Sequence, residues 1–419
     1  MSKLRLLYEF MMSASLAHAR WEKEMADNIF RNKKRLLLLL VLLSPILVTS
    51  LLGAADILGG KRAYAPAHYT PLVFWASTVV GFAAGLITGC IGAGGGFIIA
   101  PALMSVGVKG IMAVGTDQFH IFAKAIMGTV LHKKLGNVSV ALAIFFILGS
   151  IVGATTGGYI NRLLYSKDPV LSDAFISIVY AVILGFLGFY AMYDYFSTRR
   201  KIKIGRASSS EGAHGGVVGT TNLAIQIQKI NVPPIIKFDE DFGGRQISAW
   251  FIIVGGFVVG FLAAIMGVGG GFVTFPMFVY VFGVSTPTTV GTDIFQIIFT
   301  AGYSSLTQYA IYGYVFYTLA MGLLIGSLIG IQIGALTTKV VPGITIRAFY
   351  ALTIMAGFFN RVSVLPDKFR SLNLVSISKD VCETFIFIGN ILFWGAVGLF
   401  VVWVLLNFFK NIRTLREEG

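Results

Sequence analysis

Apolar runs long enough to cross a lipid bilayer recur along this chain, and they limit its fold more than any other feature. Residues 36–43 and 397–406 carry no polar side chain at all. A core helix of a soluble protein keeps one apolar stripe and turns a polar face to water; these runs have no second face to turn. A helical crossing takes roughly 20 apolar residues, and every backbone polar group must be satisfied inside the segment. A membrane barrel would show apolar and polar residues in alternation, which these runs do not. Only 12% of the 419 residues are charged, against about 25% in soluble domains. The expected fold class is all-α, a polytopic membrane helical bundle.

The net charge of +14 does not mark a nucleic-acid partner, because the basic residues fall in clusters between the apolar runs, where they set topology. Arg31, Lys33, Lys34 and Arg35 precede the run over 36–52, which reads as an uncleaved signal anchor although Ala63 and Ala65 resemble a cleavage site. Long spans are expected near 72–91, 113–131, 138–160 and 174–196, with a short piece near 97–108. A second set follows near 247–266, 290–309, 315–337 and 345–365, with a short piece near 272–282 and a closing helix near 384–408. The expected organisation is an N-terminal cytoplasmic segment with its anchor (1–71), transmembrane repeat 1 (72–196), a cytoplasmic linker (197–246), transmembrane repeat 2 (247–365), and an external loop, closing helix and cytoplasmic tail (366–419). With the short pieces counted as crossings, Lys133, Lys134, residues 199–206, Lys339 and residues 410–416 fall on the cytoplasmic side of an inner (plasma) membrane, as do both termini. Lys61, Arg62, Arg162, Lys167, Lys368, Arg370 and Lys379 fall outside. Two cysteines, Cys90 and Cys382, make neither a disulfide framework nor a metal site.

The chain repeats itself. Gly81, Gly85, Gly92, Gly94, Gly95, Gly96, Phe97 and Pro101 recur at one constant spacing as Gly256, Gly260, Gly267, Gly269, Gly270, Gly271, Phe272 and Pro276. One residue of slippage later, Gly115, Thr116, Asp117 and Phe119 match Gly291, Thr292, Asp293 and Phe295. One more brings Gly149, Ser150, Gly153 and Gly157 onto Gly326, Ser327, Gly330 and Gly334. Each unit holds an odd number of crossings, so two inverted-topology repeats are expected. The glycines spaced by four, Gly81/Gly85/Gly89 and Gly149/Gly153/Gly157, are expected to pack helices closely.

Two constellations carry chemistry. Each glycine run precedes an apolar piece too short to span, and glycine costs about 1 kcal/mol in a helix interior, so both helices should break at membrane depth. Such a break is tolerated where the backbone lines a cavity or is buried, and the amide end of the next helix favours an anion. Close helix packing is the competing explanation. The second constellation is Thr116, Asp117, His120 and Lys124, of which 117, 120 and 124 share a helical face. Ionisable groups inside a span mark a pathway, a proton relay or a partnered charge. The second copy keeps Asp293 but offers Gln296 and Thr300, and Thr292, Gln296, Thr300 and Gln308 can supply neutral donors opposite the charged half. The competing readings are a cap on the 113–131 helix for Thr116 and Asp117, and for Lys124 an ion pair with Asp117 or snorkelling to the interface. His120 could take up a proton and couple transport to a proton gradient. Asn360 and Arg361, near the end of a span, are expected at the interface. No Walker A, H-E-x-x-H, haem-attachment or G-x-S-x-G element is present, so neither ATP hydrolysis nor proteolysis has a basis in the sequence.

At the paired tracts G-A-G-G-G-F-I-I-A-P and G-V-G-G-G-F-V-T-F-P, each followed by G-T-D-x-F, the sequence resembles the sulfite exporter TauE/SafE family of permeases over residues 72–408. The resemblance implies that residues 92–101 and 267–276 are translocation-pathway elements and that the cargo is sulfite, an organosulfonate or a related sulfur-containing anion. The N-terminal segment and the long central linker depart from shorter members. The expectation is a secondary transporter moving such an anion across the inner membrane, with no enzymatic activity, cofactor or metal and with the proton as candidate coupling ion. An anion-sensing membrane receptor and a carrier for another small organic anion are the alternatives.

Overall fold

A computed structural model describes residues 71–91, 95–134, 138–203, 221–239, 244–338 and 340–411. The signal anchor, Gly92, Gly94, Lys339 and the tail from residue 412 lie outside the described residues. The chain folds as helices α1 (Pro71–Ile91), α2 (Gly96–Ser105), α3 (Gly110–Lys134), α4 (Val140–Lys167) and α5 (Pro169–Lys203) in the first repeat. The second repeat gives α7 (Ala249–Met266), α8 (Gly271–Pro276, continued as a π turn over Met277–Phe282), α9 (Thr286–Tyr303, continued as a π turn over Ser304–Tyr309), α10 (Tyr317–Thr337) and α11 (Gly343–Ser371). A closing helix, α12 (Lys379–Lys410), has no counterpart in the first repeat. Six of these helices, α4, α5, α7, α10, α11 and α12, are long and apolar enough to span a membrane. The α4–α5 hairpin turns at Asp168, whose Oδ1 accepts from the Val170 amide at 2.7 Å, and Pro169 opens α5, where its missing amide is no loss.

The packing is reciprocal: the first helix of each repeat lies on the fourth helix of the other. A Cβ added at Gly81 or Gly85 of α1 would stand 2.3 or 2.4 Å from the carbonyl oxygens of Leu323 and Ser327 on α10. One added at Gly256 or Gly260 of α7 would stand 2.2 Å from those of Phe146 and Ser150 on α4. Gly326, Gly330, Gly149 and Gly153 return the same contact from the fourth helices. Backbones approach this closely only across glycine, as expected for the four-residue spacing.

Contacts on the fifth helices fix the relation between the repeats. On α5 and α11, Asp194 pairs with Arg347 at 2.9 Å, Gly188 faces Met355, Gly185 faces Phe358, and Asp173 pairs with Lys368 at 3.2 Å. Numbers rise on one helix as they fall on the other, so the two equivalent helices run antiparallel. That requires a pseudo-two-fold axis across the helices, the inverted-repeat geometry.

The expected polar linker is partly folded. Helix α6 (Asn222–Gln228) and a two-stranded antiparallel sheet, β1 (Ile235–Phe238) with β2 (Arg245–Ser248), pair Ile236 with Ile247. Alternation explains it, since Ile236, Phe238 and Ile247 join Phe146, Phe278 and Phe282 in a buried cluster. The sheet also ties both ends of the α7–α8 hairpin to one face of the bundle. Arg245 donates to the Gly283 carbonyl, and the Ser285 amide and hydroxyl both donate to Asp239 at 2.7 Å. Helix α8 therefore returns to the face from which α7 started.

Candidate substrate site

Helix α7 ends inside the protein. Gly267 and Gly270 have φ of +77° and +86°, a region that glycine enters without the Cβ clash other residues meet, and residues 263–270 are all buried. A helix end releases backbone carbonyls that must find donors, and side chains from four other segments supply them. Gln118 donates to Ala263 O at 2.6 Å, Asn161 to Ile265 O at 3.2 Å, Tyr309 to Ala264 O, and Tyr180 to Met266 O. The second tract is thus a true break. Among the described residues, the amides of Gly269, Gly271 and Phe272 donate to no backbone carbonyl.

The described part of the first tract, Gly95 and Gly96, opens α2. A Cβ on Gly95 would press to 2.5 Å from Ala84 O, and one on Gly96 to 2.9 Å from Val268 Cγ1. The two tracts therefore touch, and the rings of Phe97 and Phe272 sit 6.5 Å apart. Equivalent residues of α3 and α9, Ile121 with Ile297 and Ala125 with Ala301, form one buried cluster beside them. Contacts between equivalents mark the pseudo-two-fold axis, so both breaks lie on it.

Flanking the axis are two buried polar chains built on one plan. In the first, Asp117 Oδ1 lies 3.3 Å from His120 Nδ1, and His120 Nε2 lies 2.9 Å from Ser327 Oγ. In the second, Gln296 donates to Asp293 Oδ1 at 2.9 Å, Thr300 donates to Gln296 Oε1 at 2.8 Å, and Thr300 meets Ser150 Oγ at 2.6 Å. Each chain starts on the third helix of one repeat and ends on the equivalent serine of the other. Ser327 also donates to Leu324 O at 3.2 Å. With that bond kept, His120 Nε2–H must donate to Ser327, and the Asp117–His120 contact then needs a further proton; with Ser327 turned toward Nε2, it needs none. The second chain has donors enough without an exchangeable proton. Asp117 Oδ2 is buried with no hydrogen-bond partner among the described residues.

Some expectations change. Thr116, Asp117, Thr292 and Asp293 sit well inside α3 and α9 rather than at their N-termini, so the own-helix cap is excluded. Thr116 Oγ1 instead accepts from the Phe316 amide at 2.9 Å and Thr292 Oγ1 from the Ser139 amide at 3.0 Å, each holding the start of the other repeat's fourth helix. Lys124 is half-buried and makes no direct ion pair with Asp117, whose contact goes to His120. The reason is spacing: seven residues rise about 10.5 Å along a helix, beyond the reach of an aspartate. Arg361 is not at the interface. It is 1% exposed, because α11 continues to Ser371. Gln118, Asn161, Tyr180 and Tyr309 were not anticipated, while Ser150 and Ser327 were visible in the repeat alignment without a role.

The family profile described as sulfite exporter TauE/SafE matches residues 77–360. The probable membrane transporter protein YunE of Bacillus subtilis (strain 168) is 26% identical over 268 residues, covering 61% of this chain and 85% of that protein. The probable membrane transporter protein YjnA of the same organism is 24% identical over 260 residues, covering 61% and 87%. The probable membrane transporter protein MJ0441 of Methanocaldococcus jannaschii is 32% identical over 90 residues, covering 20% and 33%. No solved structure matches. A multi-pass helical bundle, an internal inverted duplication with paired helix breaks, and a profile match over more than half of the chain agree: this protein belongs to the sulfite exporter TauE/SafE family of membrane permeases.

Proposed function

We propose that this permease carries a small sulfur-containing anion, such as sulfite or an organosulfonate, across the inner membrane by alternating access, with both termini cytoplasmic. The observation that carries the reading is the meeting of the two glycine tracts on the pseudo-two-fold axis, between the Asp117 and Asp293 chains. Two repeats of opposite orientation, 72–196 and 247–365, rock against each other around such a site. The expected binding residues are the glycine tracts from Gly92 and Gly267 with Phe97, Pro101, Phe272 and Pro276, together with Thr116, Asp117, His120, Lys124, Thr292, Asp293 and Gln296. The amides at the second break that donate to no backbone carbonyl among the described residues supply donors suited to an oxoanion. Lys124, which makes no ion pair among the described residues, supplies the charge.

The Asp117–His120–Ser327 chain is the candidate proton relay, because its two hydrogen-bond arrangements differ by one proton. Flux measured in proteoliposomes with sulfite, sulfoacetate, taurine and sulfate tests the proposal. Saturable uptake of at least one sulfur anion is expected, and Lys124→Met should raise its KM at least tenfold in a protein that still folds. Absence of flux with every small anion tried overturns the transport reading, and saturable binding without flux points to a receptor.

A further inference from the structure

Among the described residues, Arg361 is a buried guanidinium with no carboxylate partner. Its Nε donates to Asn360 Oδ1 at 3.0 Å, one Nη to the same oxygen and to Pro101 O at 3.4 Å, and the other to the Met104 sulfur at 3.2 Å. No ion pair reaches it among the described residues. Sulfur is a weak acceptor, so one edge of the fork is left nearly unsatisfied. A buried charge in that condition is costly, and an anionic guest would offset the cost.

Beside it lies a cavity of about 160 Å³ between α2, α5, α11 and α12, lined among others by Met104, Asp173, Arg361, Lys368 and Asn390. Both acids of the cavity are already engaged. Asp173 accepts from the Gly110 amide at 2.8 Å and pairs with Lys368 at 3.2 Å, while Asp367 pairs with Arg370 at 2.9 Å. The lining thus holds two cations and two carboxylates, but Asp367 is paired with Arg370 behind the lining and Asp173 with Lys368, so the cation without a carboxylate of its own is Arg361. Asn390 gives its oxygen to Asn360 at 2.8 Å, which leaves its NH₂ with donor capacity. The volume equals about five waters at roughly 30 Å³ each, room for an oxoanion head with a short carbon tail.

We propose that this cavity binds a singly charged oxoanion, with Arg361 as its principal ligand and Asn390 and Lys368 at its rim. Resting on the permease reading above, the occupant is the transported sulfur anion, loaded there before it moves along α2 to the axis. Helix α2 connects the two places directly, since it carries both the Pro101 carbonyl that Arg361 holds and Phe97 at the axis. The site has no pseudo-symmetric counterpart, because its roof, α12, lies outside the repeats and Arg361 stands where the repeat alignment puts Leu184 in the first half.

The test uses full-length protein in vesicles of phosphatidylcholine alone or with phosphatidylglycerol. Methanesulfonate serves as the binding probe and sulfite as the flux probe. Arg361→Gln should raise the sulfite KM at least tenfold. Asn390→Leu, which fills the cavity from α12 without touching the guanidinium, should raise it severalfold and keeps the test open if the first variant fails to fold. In a Ser105→Cys protein, methanesulfonate should slow thiol labelling at the cavity. Unchanged KM in both variants with unprotected labelling, in a parent that transports sulfite, overturns this inference and leaves the permease standing. A parent that moves no anion but is protected by methanesulfonate supports the cavity and removes the permease reading. Protection that needs phosphatidylglycerol, and that methanesulfonate cannot give alone, makes the occupant a lipid headgroup and overturns the substrate assignment.

Discussion

The two repeats keep the same skeleton and differ in what they hang on it. Gly85 and Gly260 stand at equivalent points of the cross-repeat helix pairs. Thr116 and Thr292 hold equivalent helix starts. Along the equivalent face of the third helix, however, the first repeat carries Asp117, His120 and Lys124, and the second carries Asp293, Gln296 and Thr300. What must be symmetric is the close approach of backbones, because inverted halves can exchange roles only if both hinge on the same contacts. Charge is under no such demand: on the third helices it gathers in the first half, whereas the buried Arg361 that lines the cavity beside α2 belongs to the second. The duplication supplies the moving parts, and divergence between the copies supplies the chemistry.

That comparison can be broken at its symmetric end first. Gly260→Leu and Gly85→Leu each drive a side chain into the backbone of the partner helix, and each should destabilise the protein by about 3 kcal/mol or more. Thermal unfolding in detergent would show it, and a tolerant Gly85 beside an intolerant Gly260 would deny that the two seams are equivalent. The asymmetric end is next. His120→Gln copies the second repeat into the first; flux driven by an imposed pH gradient should fall about tenfold, while the protein remains folded because glutamine still offers a donor to Ser327. Unaltered pH-gradient dependence would remove the relay.

A smaller contrast comes from the two serines. Ser327→Ala takes from His120 Nε2 its partner inside a buried site, worth about 1–3 kcal/mol, whereas Ser150→Ala leaves Thr300 its bond to Gln296 and should lose about 1 kcal/mol or less. Equal losses would mean that the chains are energetically alike. Smallest are Thr116→Val and Thr292→Val, each stripping one acceptor from a helix-start amide, with about 1 kcal/mol expected from both. A marked difference between them would sharpen the view that one half is the more rigid.

Much of the architecture was legible because its causes are local. Three adjacent glycines cannot sustain a helix wherever they fall, so the break before Phe272 could be read directly, and four-residue spacing identified the seams before their partners were known. The part that escaped was partnership. Thr116 and Asp117 resemble caps when hydropathy alone starts the helix at residue 113, whereas the helix starts at Gly110 and turns Thr116 toward an amide two hundred residues away. Arg361 reads as an interface residue for the same kind of reason: hydropathy falls near residue 365, yet the helix runs on to Ser371 and carries the guanidinium inward against α2.

By itself the sequence determined that the chain lives in lipid, that it is a duplicated helical unit, and where each unit must break. Those properties follow from side-chain hydrophobicity and from the backbone freedom of glycine, which act within a few residues along the chain. Only the tertiary structure decided that the first and fourth helices pair across the repeats, that His120 answers to Ser327, and that Arg361 is buried beside a cavity rather than anchored at a surface. These depend on which helices lie side by side, and in a bundle that is set by close packing between segments far apart in the chain, a relation that no local pattern encodes.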